Sequence, residues 1–441
     1  MKVHTSYRVE QVIVMGFLLV ILAGALLLWS SGKYLYNMPI SIEDAIFMST
    51  SATCVTGLAT VNLASEMGML SQLIILVLIQ IGGLGFMTAV MMLGIAVGRR
   101  MGIKSRLFFL GGFGLDGISG AVRLMRMLAK YTFVAESAGA VLLYWGFSRH
   151  GMPVGKSIYY AVFHSVSAFC NAGLSPLPDG LNGFSLSVIV PAAVMMLIIL
   201  GGIGFPVFAN CWDTFRNNGR ISHYSKLVLY ITFWLITAGT LMILISDWEV
   251  GLAGLPSWAK IWNALFASVT TRTAGFDTLQ PSSFSGLGKI MMIVLMIIGA
   301  SPASTGGGIK TTTLGVMAVS AWNEILGRDE NIFWHRKIAY SVVRRALTMT
   351  FIYVITFFIG AVLLSIIEDF PFEVLLFEAV SAMGTVGLSL GVTPELSVAG
   401  KMVLVLLMFW GRVGILTFFA ILIKEEKKVD IHYTEVEIPI G

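Results

Sequence analysis

Val12 to Trp29 is an unbroken apolar run without one charged side chain, and seven more largely apolar stretches follow at 68–98, 131–148, 184–209, 227–247, 285–322 (interrupted), 346–367 and 402–423. A run of about 18 apolar residues is long enough to cross a bilayer as a helix. Eight of them restrict the chain to an all-α integral membrane fold, because helices pair their own backbone within lipid. The rest of the composition agrees: 56% of the 441 residues are hydrophobic and 12% are charged, against about 25% charged in soluble domains. No small-residue cleavage site follows the first run, so it reads as a retained span rather than a signal peptide.

An even number of spans places both ends on one side. Of the 29 Lys and Arg, twenty fall at the N-terminus, in 99–130, 216–226 and 328–345, and in the C-terminal tail; six fall on the opposite side. The remaining three, Arg272, Lys310 and Arg412, lie in membrane-embedded segments. The positive-inside rule therefore puts both termini in the cytoplasm. The net charge of +5 is a topology signal, and the scatter of the basic residues over juxtamembrane loops argues against a nucleic-acid partner. The cysteines Cys54, Cys170 and Cys211 have no metal-binding spacing.

Between the spans lie four shorter amphipathic pieces, 41–53, 157–170, 258–271 and 372–384. They are too short to cross and fit re-entrant half-helices. Ser41 with Asp44 reads as an N-cap box. Pro256–Ser257 and Pro371 mark further helix starts, and Ser157 is a weaker one. These pieces repeat: "FMSTSATCVTGL" (47–58), "FHSVSAFCNAGL" (163–174), "LFASVTTRTAGF" (265–276) and "FEAVSAMGTVGL" (377–388). Each carries a large apolar residue ten positions before a glycine: Gly57, Gly173, Gly275 or Gly387. A glycine break follows 24 to 28 residues later, in "IQIGGLGF" (79–86), "ILGGIGF" (199–205), "IIGASPAS" (297–304) and "FWGRVGIL" (409–416). Close helix packing accounts for glycines such as Gly82, Gly83, Gly201 and Gly202, but not for half-helices at matched spacing.

The pattern predicts four M1–pore-loop–M2 repeats, giving eight transmembrane helices and four re-entrant half-helices around a pseudo-fourfold central pore. The repeats span 9–98, 128–210, 225–327 and 340–424, with an intramembrane loop at 299–313 in the third and a cytoplasmic tail at 425–441. Unwound turns in hydrocarbon leave carbonyls unmet, at several kcal/mol each. Four converging turns instead offer rings of carbonyls that replace the hydration shell of a monovalent cation, and the half-helix C-termini add partial negative charge. The ring-forming stretches are Val55, Thr56 and Gly57; Asn171, Ala172 and Gly173; Thr273, Ala274 and Gly275; and Thr385, Val386 and Gly387. Because the side chains differ, selectivity must come mainly from backbone. One glycine per repeat suggests fewer binding sites than a dedicated potassium channel has.

These four units, together with "GASPASTGGGIKTTT" (299–313), resemble the Trk/Ktr/HKT potassium transporters over nearly the whole chain. The lack of an added N-terminal helix pair and the closing "GRVGILTF" (411–418) are most similar to the KtrB membrane subunits of that family. The resemblance implies potassium uptake through a filter lined by the four glycines, in a bacterial cytoplasmic membrane. Gly57 stands where sodium-favouring plant relatives carry serine. The resemblance also implies a homodimer on a KtrA-like cytoplasmic nucleotide-binding ring of the RCK type, which this chain does not itself contain. The intramembrane loop would be the gate, with Gly306, Gly307, Gly308, Lys310 and Arg412 as its working residues. Lys310 either places a charge on the exit route or snorkels to the cytoplasm. Arg412, costly in lipid, either forms an electrostatic barrier below the filter or clamps helix ends.

Arg272 either repels cations or, the preferred reading, turns from the pore toward an acid such as Asp277; Cys54 and Cys170 are expected to pack, His164 to support the half-helix, and Glu136 to face a helix interface without an assigned role. The tail and the basic loops are free to meet a partner, the dimer mate or only solvent. Three other functions compete. A Na⁺- or H⁺-coupled symporter would show two inverted halves and mid-membrane acids. A nucleotide loop fails because Ile309 separates Gly308 from Lys310 and no strand precedes. An enzyme would need convergent His, Asp or Cys groups, so no catalysis and no cofactor are expected, with K⁺ as cargo and lipid as surroundings.

Overall fold

The computed structural model describes residues 9–35, 40–85, 88, 121–217 and 219–414. The distal part of the 68–98 run, most of the basic loop 99–130, the residues after Gly414 and the tail 425–441 lie outside them.

The first unit contains α1 (Val9–Leu35), the half-helix α2 (Ile42–Cys54) and α3 (Met69–Leu84). The second contains α4 (Ala121–Arg149), the half-helix α5 (Val154–Phe169), α6 (Ile189–Gly202) and α7 (Phe205–Asn217). The third contains α8 (His223–Asp247), the half-helix α9 (Ser257–Thr270), α10 (Gly286–Ile297) and α11 (Thr311–Ile325). A small hairpin, β1 (Ile332–Phe333) with β2 (Arg336–Lys337), leads to the fourth unit. That unit contains α12 (Tyr340–Ile367), the half-helix α13 (Phe372–Gly384) and α14 (Val398–Val413).

Local signals explain the half-helix starts. Asp44 N–H donates to Ser41 Oγ at 3.1 Å, and that hydroxyl donates to the Asp44 carboxylate at 2.7 Å. Pro256 and Pro371 are the residues immediately before α9 and α13. In the second unit the start is Val154 after Pro153, not Ser157. Proline's fixed φ sets the first turn there, and Ser157 Oγ instead donates to Met152 O at 3.1 Å.

By length and composition three helices could each cross a membrane: Gln11–Tyr34, His223–Asp247 and Tyr340–Ile367. The pair α6–α7, bent by 95°, would make a fourth. Breaks at glycine divide two of the other expected spans, 184–209 and 285–322. The uninterrupted run 184–209 is really two helices joined at Ile203–Gly204, where Gly204 takes φ 92°.

The units close on themselves. Each M2 packs on the half-helix of the following unit: α3 on α5, α6 on α9, α10 on α13, and α14 on α2. Within each unit an M1 glycine lets an M2 leucine in. A Cβ on Gly24, Gly139, Gly239 or Gly360 would meet a methyl of Leu78, Leu197, Leu295 or Leu407, all within 3 Å. In three units a half-helix serine also reaches the M1 backbone: Ser49 Oγ donates to Ile21 O at 2.7 Å, Ser165 to Glu136 O at 2.6 Å and Ser268 to Ile236 O at 2.9 Å. Helices in lipid have no hydrophobic drive to associate, so such close packing and hydrogen bonds hold them together.

Two acids finish the C-terminal ends of M1 helices. Asp247, fully buried, accepts from Ser285 N–H at 2.6 Å, and Glu368 accepts from Ser397 N–H at 3.0 Å. Both thereby satisfy the first turn of an M2 helix. Removing the carboxylate leaves a part-buried donor unpaired next to the space vacated by a fully buried side chain, at about 1 kcal/mol or more. Asp247→Ala should therefore lower the thermal midpoint of the detergent-solubilised protein clearly, whereas Ser283→Ala, at an exposed turn, should not. Equal midpoints for the two variants would contradict this assignment.

Candidate functional site: four glycine turns and the loop beneath them

All four half-helices end the same way. Two residues before each glycine the chain turns left-handed, at Val55 (φ 58°), Asn171 (60°), Thr273 (70°) and Thr385 (50°). The next N–H then bonds back into the helix: Thr56 to Ser51 O (2.8 Å), Ala172 to Ser167 O (2.7 Å), Ala274 to Thr270 O (2.9 Å) and Val386 to Ser381 O (2.8 Å). The glycines follow at φ 104°, 67°, 76° and 92°. Three of the four left-handed residues are β-branched, for which this region is a true outlier. Such strain, on the order of 1–3 kcal/mol per residue, persists where surrounding structure over-determines it.

Hydroxyls over-determine these turns. Gly57 and Gly387 each donate N–H to a serine hydroxyl, Ser51 and Ser381, at 3.1 Å. In the other two units the hydroxyl donates to the carbonyl after the glycine: Ser167 to Leu174 O at 2.8 Å and Thr270 to Phe276 O at 2.6 Å. The sequence reading passed over these four residues. Their signal was a hydroxyl five or six positions before every repeat glycine.

The turns meet. A Cβ on Gly57 would lie 2.7 Å from Ala172 O; on Gly173, 2.7 Å from Ala274 O; on Gly275, 2.5 Å from Val386 O; on Gly387, it would strike Thr56 O. The same Cβ atoms would lie 2.8 to 3.3 Å from the Cα atoms of neighbouring glycines. The contacts form a closed cycle of four, with one carbonyl of each turn set against the glycine of the preceding one. Any side chain at these positions collides with backbone. None of the twelve turn residues is ionisable.

The break glycines serve packing, as their sequence suggested. A Cβ on Gly82, Gly201 or Gly411 would strike Thr53 O, Phe169 O or Met383 O, the last turn of a half-helix. In the third unit Gly299 instead faces Gly307 and Gly308 of its own intramembrane loop. That loop is pinned at both ends: Gly299 N–H donates to Ile309 O at 2.9 Å, and Ser301 N–H to Gly202 O at 3.0 Å. Its centre passes under the turns. Thr305 Oγ1 donates to Phe169 O at 3.1 Å, Gly306 abuts Thr273, and Gly307 abuts Thr385.

Two cations hold the loop. Arg412, in the last turn of α14, donates to Thr305 O in the loop and to Gly82 O and Gly83 O at the end of α3. Lys310 Nζ folds back onto Gly306 O at 2.8 Å and Gly307 O at 3.4 Å rather than snorkelling outward. Gly308, with φ 69°, completes the turn against Gly299. The five residues singled out from sequence thus come together, and Thr305, which sequence did not single out, joins them.

Other placements differ from expectation. Arg272, 6% exposed, reaches Thr232 Oγ1 on α8 at 3.5 Å and does not pair with Asp277, whose carboxylate bonds the Asn182 side chain. Cys54 and Cys170 are fully buried. His164 bonds Tyr160 O (2.8 Å) and Ser175 Oγ (2.9 Å). Glu136 faces α3, accepting from Gln80 Nε2 at 3.0 Å. Sequence also missed Glu378, a fully buried acid that receives Ser389 Oγ, Leu390 N–H and Thr393 Oγ1 at 2.6 to 2.9 Å and so ties down the segment beyond Gly387. Among the described residues no group of three or more His, Cys, Asp or Glu is placed to hold a metal.

The chain is 36% identical over 98% of its length, and 96% of the relative, to "Ktr system potassium uptake protein B" of Bacillus subtilis (strain 168). It is 35% identical, over 100% of its length and 99% of the relative, to "Potassium/sodium uptake protein NtpJ" of Enterococcus hirae. Its fold is similar to the crystal structure of the potassium transporter TrkH from Vibrio parahaemolyticus, with TM-score 0.73 and 20% identity, covering 96% of this chain and 86% of that one. The TrkH family profile, described as "Cation transport protein", matches residues 4–431. The chain belongs to the TrkH family of cation transport proteins.

Proposed function

We propose that this chain conducts potassium ions into a bacterial cell through a pseudo-fourfold pore, with eight membrane-crossing segments and both termini cytoplasmic. The closed cycle of Thr56, Ala172, Ala274 and Val386 carbonyls against the four glycines carries this reading. Backbone oxygens that have left their helices, in a ring with no ionisable side chain, suit a dehydrated monovalent cation. Four half-helices end at the ring with their partially negative termini, which favours a cation there. The printed names of the Bacillus and Enterococcus relatives support potassium as the cargo.

The loop 299–313 is the gate in this reading. It lies under three of the four turns and is held by Lys310 and Arg412. Both cations oppose the passage of a positive ion at low dielectric. Opening means withdrawing the loop and breaking charge-assisted hydrogen bonds worth about 1.5–3 kcal/mol each. A cytoplasmic RCK-type nucleotide-binding ring, acting on a homodimer of this chain, would supply that energy. The printed name "Ktr system" supports a multi-subunit assembly.

A second reading, Na⁺- or H⁺-coupled symport, draws on the words "potassium/sodium" in the name of the Enterococcus relative. In proteoliposomes, uptake driven by a potassium diffusion potential without a sodium or proton gradient supports the pore; uptake that requires either gradient supports symport.

Two variants test the parts. Gly275→Ser places a side chain against Val386 O and should cut potassium flux about tenfold or more, a loss of ~1.4 kcal/mol or greater. Gly155→Ser, where a Cβ meets open space, should leave flux unchanged. Arg412→Gln, with normal assembly, should raise potassium flux in vesicles by freeing the loop; unchanged or lower flux would contradict the barrier role.

A further inference from the structure

The four half-helices differ at one aligned position. Nine residues before each ring glycine stand Met48, His164, Phe266 and Glu378, all buried, and two residues after it stand Ala59, Ser175, Asp277 and Ser389. In the second and fourth units these two positions meet. A carbonyl only accepts, so His164 Nδ1 donates to Tyr160 O at 2.8 Å, and Nε2 of the neutral ring receives the Ser175 hydroxyl at 2.9 Å. Glu378 Oε1 receives the Ser389 hydroxyl at 2.6 Å. Both serines also accept from the N–H two residues on, Leu177 at 3.1 Å and Gly391 at 2.9 Å. An imidazole and a carboxylate thus serve one construction: a half-helix side chain grips a serine whose hydroxyl folds the chain beyond the glycine. Glu378 adds Leu390 N–H at 2.9 Å and Thr393 Oγ1 at 2.7 Å to its grip.

The first and third units are built differently. Met48 and Ala59 bring no strong hydrogen-bonding group to the two positions. Phe266 offers only a ring, and with Asp277, Thr278, Leu279 and Leu388 it lines a small cavity. Asp277 turns instead to the Asn182 side chain of the second unit. In the cycle of turns the second unit touches the first and third, and the fourth touches the third and first. The two gripped turns therefore face one another across the ring, alternating with two that lack the grip.

We infer that Glu378 and His164 are positioning residues for ion selection: through Ser389 and Ser175 they fix two opposed turns, so that the carbonyl ring keeps the width of a larger alkali ion. The inference rests on the pore reading above, and it assigns ion discrimination to these two side chains as well as to the turn backbone. Sodium is smaller than potassium, so the same four carbonyls must draw together to replace its water. Groups that orient the ligands of a bound ion resist such movement.

The test compares radioactive Rb⁺ and Na⁺ uptake into proteoliposomes by the full chain. Glu378→Met with Ser389→Ala gives the fourth unit the pair that the first already carries. It should lower the Rb⁺-to-Na⁺ uptake ratio about tenfold, the scale expected for losing a group that orients an ion's ligands. His164→Met with Ser175→Ala should lower it likewise. Glu378→Gln keeps the shape and the network, because its amide oxygen accepts from Ser389 and Leu390 while its nitrogen donates to a reoriented Thr393 hydroxyl; it should hold the ratio near that of the unmodified protein. Asp247→Ala, which strips a helix cap, should lower the melting midpoint and leave the ratio alone. An unchanged ratio in either double variant overturns the inference. So does an equal fall in Asp247→Ala, which makes the effect one of stability, or in Glu378→Gln, which makes it one of charge. Where a double variant fails to assemble, Ser389→Ala, which removes a single hydroxyl, must lower the ratio or the inference fails. Gly275→Ser answers separately for the pore: Rb⁺ uptake that survives it intact refutes the pore reading, whatever the ratios show.

Discussion

Backbone that leaves its helix inside a hydrocarbon layer must find new partners, and the rest of this structure follows from that obligation. Four half-helices stop partway, and each then exposes carbonyls and an N–H. The hydroxyls of Ser51, Ser167, Thr270 and Ser381 answer part of the demand. The remaining carbonyls face one another across glycines, because only glycine lets four chains approach so closely. Once the ring exists, its supports are constrained as well. The M2 helices must break at glycine to clear the last turn of a half-helix, and the M1 helices must carry glycine to admit the M2 leucines.

The loop in the third unit applies the same rule to motion. It is irregular backbone, supported by its own backbone and lysine and by groups from other units. Gly201 O and Gly202 O bind it from the second unit, and Arg412 from the fourth, which at the same time grips the end of α3 in the first. One guanidinium thus ties three units at the depth of the loop. In the gate proposed above, withdrawing the loop would break these hydrogen bonds.

Much of this was legible in the chain. Repetition of a large apolar residue, ten positions and a glycine located all four turns, and the third M2 announced its break through Gly, Ser and Pro. What sequence did not show depends on direction rather than position. Nothing in the string says that Arg272 would turn toward Thr232 rather than Asp277, or that Lys310 would fold onto its own loop, since both outcomes depend on a left-handed residue or a loop path that tertiary contacts impose. The start of α5 at Val154, after Pro153, was not evident because Ser157 looked like a cap, yet its hydroxyl points back to Met152. The hydroxyl staples were visible as a recurrent Ser or Thr, but their meaning required knowing where each turn goes.

The central claim is that the four turns offer main-chain oxygens to one dehydrated cation. Anomalous diffraction from crystals grown in rubidium measures this directly. The account predicts a rubidium peak on the axis, bounded by the carbonyl oxygens of Thr56, Ala172, Ala274 and Val386. A ring devoid of rubidium, with the ion bound elsewhere in a chain that still transports it, would contradict the account.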